Sequence, residues 1–413
     1  MTPRRVAVTG MGVVSALGCN VDEYRRALLE CRAGIGVRES FDDTWPDDLP
    51  VESLRHPAGM AREPESARED VGGVPLKMLD RFSRFAIAAA GEALADAGSP
   101  DGDPRRLRAA VIMGTAVGGD ESRDHASYRI LRRKTRPHPV TILRTMVNAA
   151  ASAVSIAHGI GGPVLNISTA CASSAHAIGQ AYRMIQWGMT DLAVAGGAET
   201  LPSYCVYRSW QQMRVLSPDG CRPFAADRNG IVFGEGAGAV VLEPLDAALA
   251  RGAHVYAEVT GFGMSADARE WAVGDPDGMV RCMREALTDA AVDARDLAHV
   301  HAHATGTVLG DAAEAAALRL LLGEETVRIP VSSTKALHGH ALGASGAMEL
   351  IATALGLDEG WIPAMPRAAR DASLSLHLVD GEPAPLAGES VLSNSFGFGG
   401  LNASLVLRRV PQA

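Results

Sequence analysis

Short apolar runs rich in Val, Ile and Leu alternate along this chain with longer Ala-rich stretches whose apolar positions recur at helical spacing. That rhythm predicts an α/β protein. The run Val6-Ala-Val-Thr-Gly-Met-Gly-Val returns as Ala257-Glu-Val-Thr-Gly-Phe-Gly-Met, each a strand that carries Gly-x-Gly. An Ala-rich helix is predicted after each copy, Phe82 to Ala97 in the first half and Met279 to Ala291 in the second. Both helices lead to a further strand, Ala109-Ala-Val-Ile-Met-Gly-Thr and Ala298-His-Val-His-Ala-His-Ala-Thr-Gly-Thr. A third pair, Val164-Leu-Asn-Ile-Ser-Thr-Ala-Cys171 and Ile329-Pro-Val-Ser-Ser-Thr-Lys335, opens into a loop and helix each time. The order of elements repeats, so two duplicated halves are expected, 1–250 and 251–413. Fused α/β halves put a site at their junction, where strand ends from both copies meet. No G-x-G-x-x-G follows either Gly-x-Gly strand, which removes a dinucleotide reading. The stretch from Arg38 to Val74, rich in Asp, Glu, Pro and Gly, breaks the rhythm and is expected to be a surface excursion.

Composition narrows the setting. With 413 residues, 47% of them hydrophobic, the chain can bury a large core. No apolar run approaches the roughly 20 residues of a membrane span, and Met1-Thr-Pro-Arg-Arg leads directly into the first strand, so a cytoplasmic protein without membrane contact is expected. Cys19, Cys31, Cys171, Cys205, Cys221 and Cys282 form no C-x-x-C pair and lie far apart, which argues against a disulfide framework or a zinc ribbon. A net charge of −9 argues against nucleic acid as a partner for the whole surface.

One cysteine stands apart. Cys171 sits in Asn166-Ile-Ser-Thr-Ala-Cys171-Ala-Ser-Ser, between a strand and a long small-residue helix. A helix N-terminus carries unpaired N–H groups and partial positive charge, so this placement is expected to lower the thiol pKa and present a nucleophile. The second half supplies proton-handling groups in corresponding loops, His301-Ala-His303-Ala-Thr-Gly-Thr307 and Lys335-Ala-Leu-His338-Gly-His340. Residues 301 and 303 alternate along a strand end, and spacing alone does not choose between them. One thiolate and two imidazoles can also bind zinc, but no short i, i+3 or i+4 ligand pair involves Cys171, and no metal is expected.

These blocks resemble those of the β-ketoacyl-acyl carrier protein synthases of the thiolase superfamily. Thr169-Ala-Cys171-Ala-Ser-Ser, with Ala195-Gly-Gly-Ala-Glu199 downstream, is similar to their nucleophile block. His303-Ala-Thr-Gly-Thr307 with Asp311 and Glu314 resembles their His-Gly-Thr-Gly-Thr loop, and Ser333-Thr-Lys335 through Gly339-His340 to Glu349 their second histidine block. Asn394-Ser-Phe-Gly-Phe398-Gly-Gly-Leu-Asn402 resembles their C-terminal glycine loop. The likeness runs from about residue 5 to about residue 408. Two departures stand out: Ala304 replaces the usual first glycine of the histidine loop, and His301 stands where an acidic or polar residue is usual.

The resemblance implies a thiolase-like α/β fold whose βαβαβ-containing halves form five α-β-α-β-α layers. It implies decarboxylative Claisen condensation, in fatty-acid or type II polyketide or polyene elongation, of an acyl thioester on Cys171 with malonyl on a carrier, giving a 3-oxoacyl product. Catalytic roles fall to Cys171, His303, His340, Lys335 and Phe398, with the N–H groups of Cys171 and Phe398 as the oxyanion hole and the Phe398 side chain as a gate. Lys335 and Glu349 are expected to pair and to fix the electrostatics around His340, with Asp311 and Glu314 in supporting roles. Thr305 and Thr307 are expected to bond the phosphopantetheine arm of the carrier, and no cofactor of the enzyme's own is implied. The implied partners are an acyl carrier protein and a second subunit, either an identical one or a chain-length factor. An acidic carrier calls for local cations, for which Lys77, Arg81, Arg84 and Arg214 are candidates, with Arg132, Arg133 and Lys134 as a second patch. A silent chain-length-determining subunit lacks the nucleophilic cysteine, and thiolases use a second cysteine in place of the two-histidine pattern. No carrier or reductase segment is recognisable, so a discrete subunit of a dissociated pathway is expected.

Overall fold

The computed structural model describes residues 3–39, 55–66 and 68–411. Its main sheet contains β1 (Val6–Val14), β2 (Ala110–Gly114), β3 (Val164–Ile167), β4 (Ala193–Glu199), β5 (Gly236–Pro244), β6 (Ala257–Ala266), β7 (Leu297–His301), β8 (Pro330–Ser332), β9 (His377–Leu378), β10 (Ser390–Gly397) and β11 (Leu401–Arg408). The spatial order is β9-β8-β7-β10-β11-β6-β1-β5-β4-β2-β3. From the centre outward, β1-β5-β4-β2-β3 matches β6-β11-β10-β7-β8, with β9 added at one edge. The halves join where Val6–Val8 of β1 pair antiparallel with Ala257–Val259 of β6.

Helices fill three layers around this sheet. Outside the first half lie α1 (Arg81–Asp96) and α2 (Ala149–His158), and outside the second α4 (Pro276–Ala290) and α5 (Val308–Leu322). Between the halves run α3 (Ser173–Gln186) and α6 (Ser345–Glu359), and α6 is buried without a break from Ser345 to Leu357. A helix apolar all round belongs in such an interior layer. The five-layered α-β-α-β-α architecture follows. The outer helices begin and end close to their expected bounds: Asp80 caps α1 through the Phe82 N–H, and Asp275 with Pro276 starts α4 earlier than the apolar pattern alone indicates.

The duplicated Gly-x-Gly has a mechanical explanation. A β-carbon on Gly10 would lie 2.1 Å from the Ala93 carbonyl oxygen, and one on Gly261 would lie 2.2 Å from that of Ala286. Each outer helix therefore rests directly on strand backbone. Register shifts between Val8 and Gly10 and between Val259 and Gly261 leave strand N–H groups turned toward these helices. In the first half Asp96 accepts from Met11 and Glu92 from Val13, and in the second Asp289 accepts from Phe262 and Glu285 from Met264. The same carboxylate pair, one helical turn apart, thus satisfies the same bulge in both copies.

The expected surface excursion needs correction. Residues 40–54 and 67 lie outside the described residues, but Ile35–Arg38 pairs with His56–Gly59, which runs parallel to Phe233–Gly234. His56, Ala58 and Gly59 are buried, and Ala58 shares an apolar cluster with Cys171. The Gly59 backbone packs on the carbonyl of His338, where a β-carbon would lie 2.0 Å away. Close backbone approach, available only to glycine, lets a polar-looking segment line the core. Among the described residues no helix is long and apolar enough to cross a membrane.

Candidate active site

Cys171 stands on the turn between β3 and α3. Ala170 before it has φ +50°, a left-handed conformation that costs a non-glycine residue energy and is held by its surroundings. Ser173 Oγ accepts from the Thr169 N–H at 2.9 Å and donates to the Ala170 carbonyl at 2.6 Å. The Thr169 hydroxyl in turn meets His176 Nδ1 at 2.9 Å. The loop that carries Cys171 is therefore held by its own hydrogen bonds.

His303 follows β7. Glu314 on α5 accepts the N–H groups of His303 at 2.8 Å and Ala304 at 2.7 Å, while Asp311 accepts those of Gly306 at 3.0 Å and Phe224 at 2.8 Å. Burial pushes these acids up, Glu314 to about 7 and Asp311 to about 6, against the N–H groups that favour their charged forms. Thr307 caps α5 through the Gly310 N–H and lies 3.2 Å, oxygen to oxygen, from Thr305. His340 follows β8 and the helical turn Lys335–His338. Its N–H donates to the Val232 carbonyl at 2.7 Å and its carbonyl accepts from the Gly234 N–H at 2.9 Å, clamping it to the first half.

The two halves thus bring three side chains together. Cys171 Sγ and a ring nitrogen from each of His303 and His340 all lie within 4.8 Å of one another, and the imidazoles cross at 83° with centroids 5.3 Å apart. All three line a cavity of about 440 Å³ whose walls include Thr305, Thr307 and Phe398. Arg214, Trp271, Val308 and Leu309 stand at its exposed end, Trp271 being 85% exposed. His301, left open with His303 by spacing, does not line the cavity: its Nε2 accepts the Thr334 N–H at 3.2 Å in the core behind.

Electrostatics differ from expectation in two respects. Burial pushes the Cys171 thiol up to about 12, not down, although the Lys335 ammonium and the N–H groups of Phe398 and Cys171 itself oppose the rise. Desolvation of a thiolate at 6% exposure outweighs the Lys335 charge and these N–H groups. Burial thus favours the neutral thiol of Cys171. Lys335 and Glu349 form a fully buried ion pair as expected, but the Lys335 hydrogen bond reaches His303 Nδ1 at 3.3 Å and not His340. An ammonium only donates, so Nδ1 accepts and the His303 proton sits on Nε2. Burial first, and then the charge of Lys335, hold both site histidines well below the ordinary imidazole range, so both are neutral. Ser345 Oγ lies 2.8 Å from His340 Nδ1, and His340 Nε2 has no hydrogen-bond partner among the described residues. A divalent metal at this triad would stand against the buried ammonium of Lys335, which disfavours that use of the ligand set.

Charge at the mouth is sparser than expected. Arg81 is held by both oxygens of Glu235 at 3.0 and 2.9 Å, and Arg84 pairs with Glu63 at 3.0 Å. Arg214 and Lys77 are exposed, as are Arg132, Arg133 and Lys134, but only Arg214 of these lines the cavity. Three contributors escaped sequence reasoning. Ser345 lay inside a recognised block without a chemical signal of its own, and Trp210 and Trp271 belong to no motif. Their part depends on tertiary contact alone.

A buried thiol, two neutral imidazoles and a narrow cavity at the junction of duplicated α/β halves define a thiolase-like condensing enzyme of the two-histidine kind. The chain belongs to the β-ketoacyl synthase family: residues 3–248 match the family description "Beta-ketoacyl synthase, N-terminal domain" and residues 256–368 match "Beta-ketoacyl synthase, C-terminal domain". It is an acyltransferase that forms carbon–carbon bonds. The 3-oxoacyl-[acyl-carrier-protein] synthase 2 of Rhizobium meliloti (strain 1021) is 38% identical over 98% of this chain and 99% of its own length. Nodulation protein E of Rhizobium sp. (strain N33) is 35% identical over 98% of this chain and all of its own length. Among solved structures, the ishigamide ketosynthase/chain length factor superposes with a TM-score of 0.90 at 30% identity, covering 99% of this chain and all of its own.

Proposed function

We propose that Cys171 takes an acyl group from the phosphopantetheine thioester of an acyl carrier protein and condenses it with a carrier-bound malonyl unit. The carbonyl carbon exchanges the pantetheine sulfur for Cys171 Sγ, and the thiol proton leaves with the pantetheine thiol. Because the resting thiol is protonated, transfer of that proton accompanies attack. The N–H groups of Cys171 and Phe398, directed at the sulfur, hold the developing oxyanion; one such donor is worth about 2.7–4 kcal/mol. His303 Nε2–H and His340 Nε2 then hydrogen-bond the malonyl thioester oxygen, the Ser345 hydroxyl donating to His340 Nδ1 in that form. Loss of carbon dioxide leaves an enolate on this oxygen, and its carbon attacks the acyl carbon and breaks the bond to Cys171 Sγ, which gives the 3-oxoacyl product and a thiolate that takes a proton from water. Neutral imidazoles suit this step, since donors that stay uncharged do not hold the malonyl carboxylate back.

Thr305 and Thr307 line the arm of the cavity and bond the pantetheine amides, and Phe398 between glycines moves aside for the acyl chain. Arg214 offers the acidic carrier a cation at the mouth. Likeness to the 3-oxoacyl-[acyl-carrier-protein] synthase 2 of Rhizobium meliloti supports the carrier, and likeness to the ishigamide ketosynthase/chain length factor supports a paired subunit, identical or a chain-length factor. Likeness to the synthase 2 relative also supports a cytoplasmic setting.

The convergence of Cys171, His303 and His340 within 4.8 Å carries the reading. His340→Ala is expected to slow malonyl-carrier decarboxylation by about 100-fold or more while acyl loading falls by less than about tenfold. Equal loss of both steps would refute the division of roles.

A further inference from the structure

Pairing between β7 and β8 ends at His301 opposite Ser332, yet the two segments stay joined beyond it. The Ala302 N–H donates to the Ser332 carbonyl at 2.8 Å, and Ser333 Oγ donates to the Ala304 carbonyl at 3.2 Å. The third tie comes from a side chain: His301 Nε2 accepts the Thr334 N–H at 3.2 Å. Thr334 stands at the head of the turn Lys335–His338, so this bond holds the residue directly before Lys335. The Thr334 hydroxyl lies 3.1 Å from His301 Nε2 and 3.0 Å from His338 Nε2. His338 donates its ring proton from Nδ1 to the Gly339 carbonyl at 2.8 Å, which leaves its Nε2 as an acceptor too. Thr334 is therefore gripped by two accepting imidazoles, one from each segment. The His301 ring is fully buried, and because Nε2 accepts, its proton sits on Nδ1, which has no hydrogen-bond partner among the described residues. An apolar side chain of similar size would avoid the cost of that unpaired donor, so packing alone does not account for the ring.

We propose that His301 is a positioning residue: by accepting the Thr334 N–H it sets Lys335 against His303 Nδ1, and so holds His303 in the tautomer that presents Nε2–H to the cavity. His303 lies two residues further along the same segment. One short stretch thus carries both the proton donor and the brace for the ammonium that orients it. The brace has to be uncharged. The Lys335 ammonium is balanced by the Glu349 carboxylate. A carboxylate at position 301 would compete with Glu349 for that ammonium and draw it off Nδ1, whereas a neutral ring fixes the turn without the pull. Burial first, and then the neighbouring His299 and Lys335, keep the His301 ring neutral. The inference rests on the decarboxylation proposed above and adds to it a residue that does not line the cavity.

The test compares two rates in each variant, malonyl-carrier decarboxylation and Cys171 acylation read by intact mass. His301→Leu removes the acceptor and is expected to lower the decarboxylation kcat by about 10-fold to 100-fold, the effect of a misplaced group, with KM within about twofold and acylation within about threefold. Two further variants separate position from polarity, because a glutamine amide oxygen reaches the place of Nε2 and an asparagine amide oxygen only that of Nδ1. His301→Gln should therefore restore decarboxylation to within about threefold of wild type, and His301→Asn should not. Both rates are read on one preparation, so a loss of folded protein moves them together and leaves their ratio unchanged. A ratio unaltered in His301→Leu, or His301→Gln no better than His301→Asn, overturns the inference and leaves the condensation standing. Wild type that does not decarboxylate malonyl-carrier overturns the proposed function and the inference with it.

Discussion

The ammonium of Lys335 lies 3.3 Å from His303 Nδ1 and is neutralised on its other side by Glu349, with both charged side chains at 0% exposure. That arrangement fixes the tautomer of His303 and keeps its Nε2–H available to the cavity. Removing one partner leaves an uncompensated buried charge, at a cost of about 3–5 kcal/mol. Lys335→Met should therefore lower the melting temperature sharply, and adding Glu349→Leu should recover most of the loss. Decarboxylation should stay depressed by about 100-fold in the double variant, since nothing then holds His303 in its donor form. Recovery of activity along with stability would make Lys335 a structural residue only.

The thiol of Cys171, pushed up to about 12 by burial, gives a sign to its pH dependence. Alkylation of Cys171 by iodoacetamide should accelerate roughly tenfold per pH unit between pH 7 and pH 10. A plateau at or below pH 8, read from the mass-resolved modification rate, contradicts a protonated resting nucleophile.

Glu199, at the end of β4, accepts from the N–H groups of Ala116 at 2.6 Å and Gly343 at 3.1 Å and from the Thr115 hydroxyl at 2.8 Å. Burial nevertheless pushes its carboxyl up to about 7. A raised acid contributes stability that is fully present below the unfolded value near 4.3 and is lost as pH climbs through the folded value. Glu199→Gln removes this titration whatever constant cost it adds. Relative to wild type, the variant should gain stability between pH 5 and pH 8, by up to a few kcal/mol. Melting curves at the two pH values check it, and an unchanged difference would contradict the raised carboxyl.

Much of the fold was legible because duplication is written into the chain. Val6 to Val13 and Ala257 to Met264 repeat a strand, its bulge and its close contact with a helix, and the paired carboxylates recur at matching places. Cys171, His303 and His340 were legible because each follows a strand whose end the topology sends to the junction. Signals that depend on depth were not. Nothing in the spacing of Cys171 says that burial outweighs the nearby N–H groups and the Lys335 charge, or that Lys335 turns to His303 and not to His340. His56 to Gly59 looked polar because a segment that packs through glycine backbone carries no apolar pattern. Arg81 and Arg84 look like free cations in the sequence because Glu235 and Glu63, which pair with them, are remote or unmarked there. Trp210 is invisible by motif because only tertiary ring contacts with Phe398 and Phe233 bring it to the cavity.

The claim that Cys171 carries the acyl chain is tested most directly by intact mass after incubation with acyl-carrier protein. Wild type should gain the mass of one acyl group per chain, and Cys171→Ala should gain none. An adduct that persists in Cys171→Ala, or wild type that stays unmodified while the 3-oxoacyl product accumulates, would contradict the account.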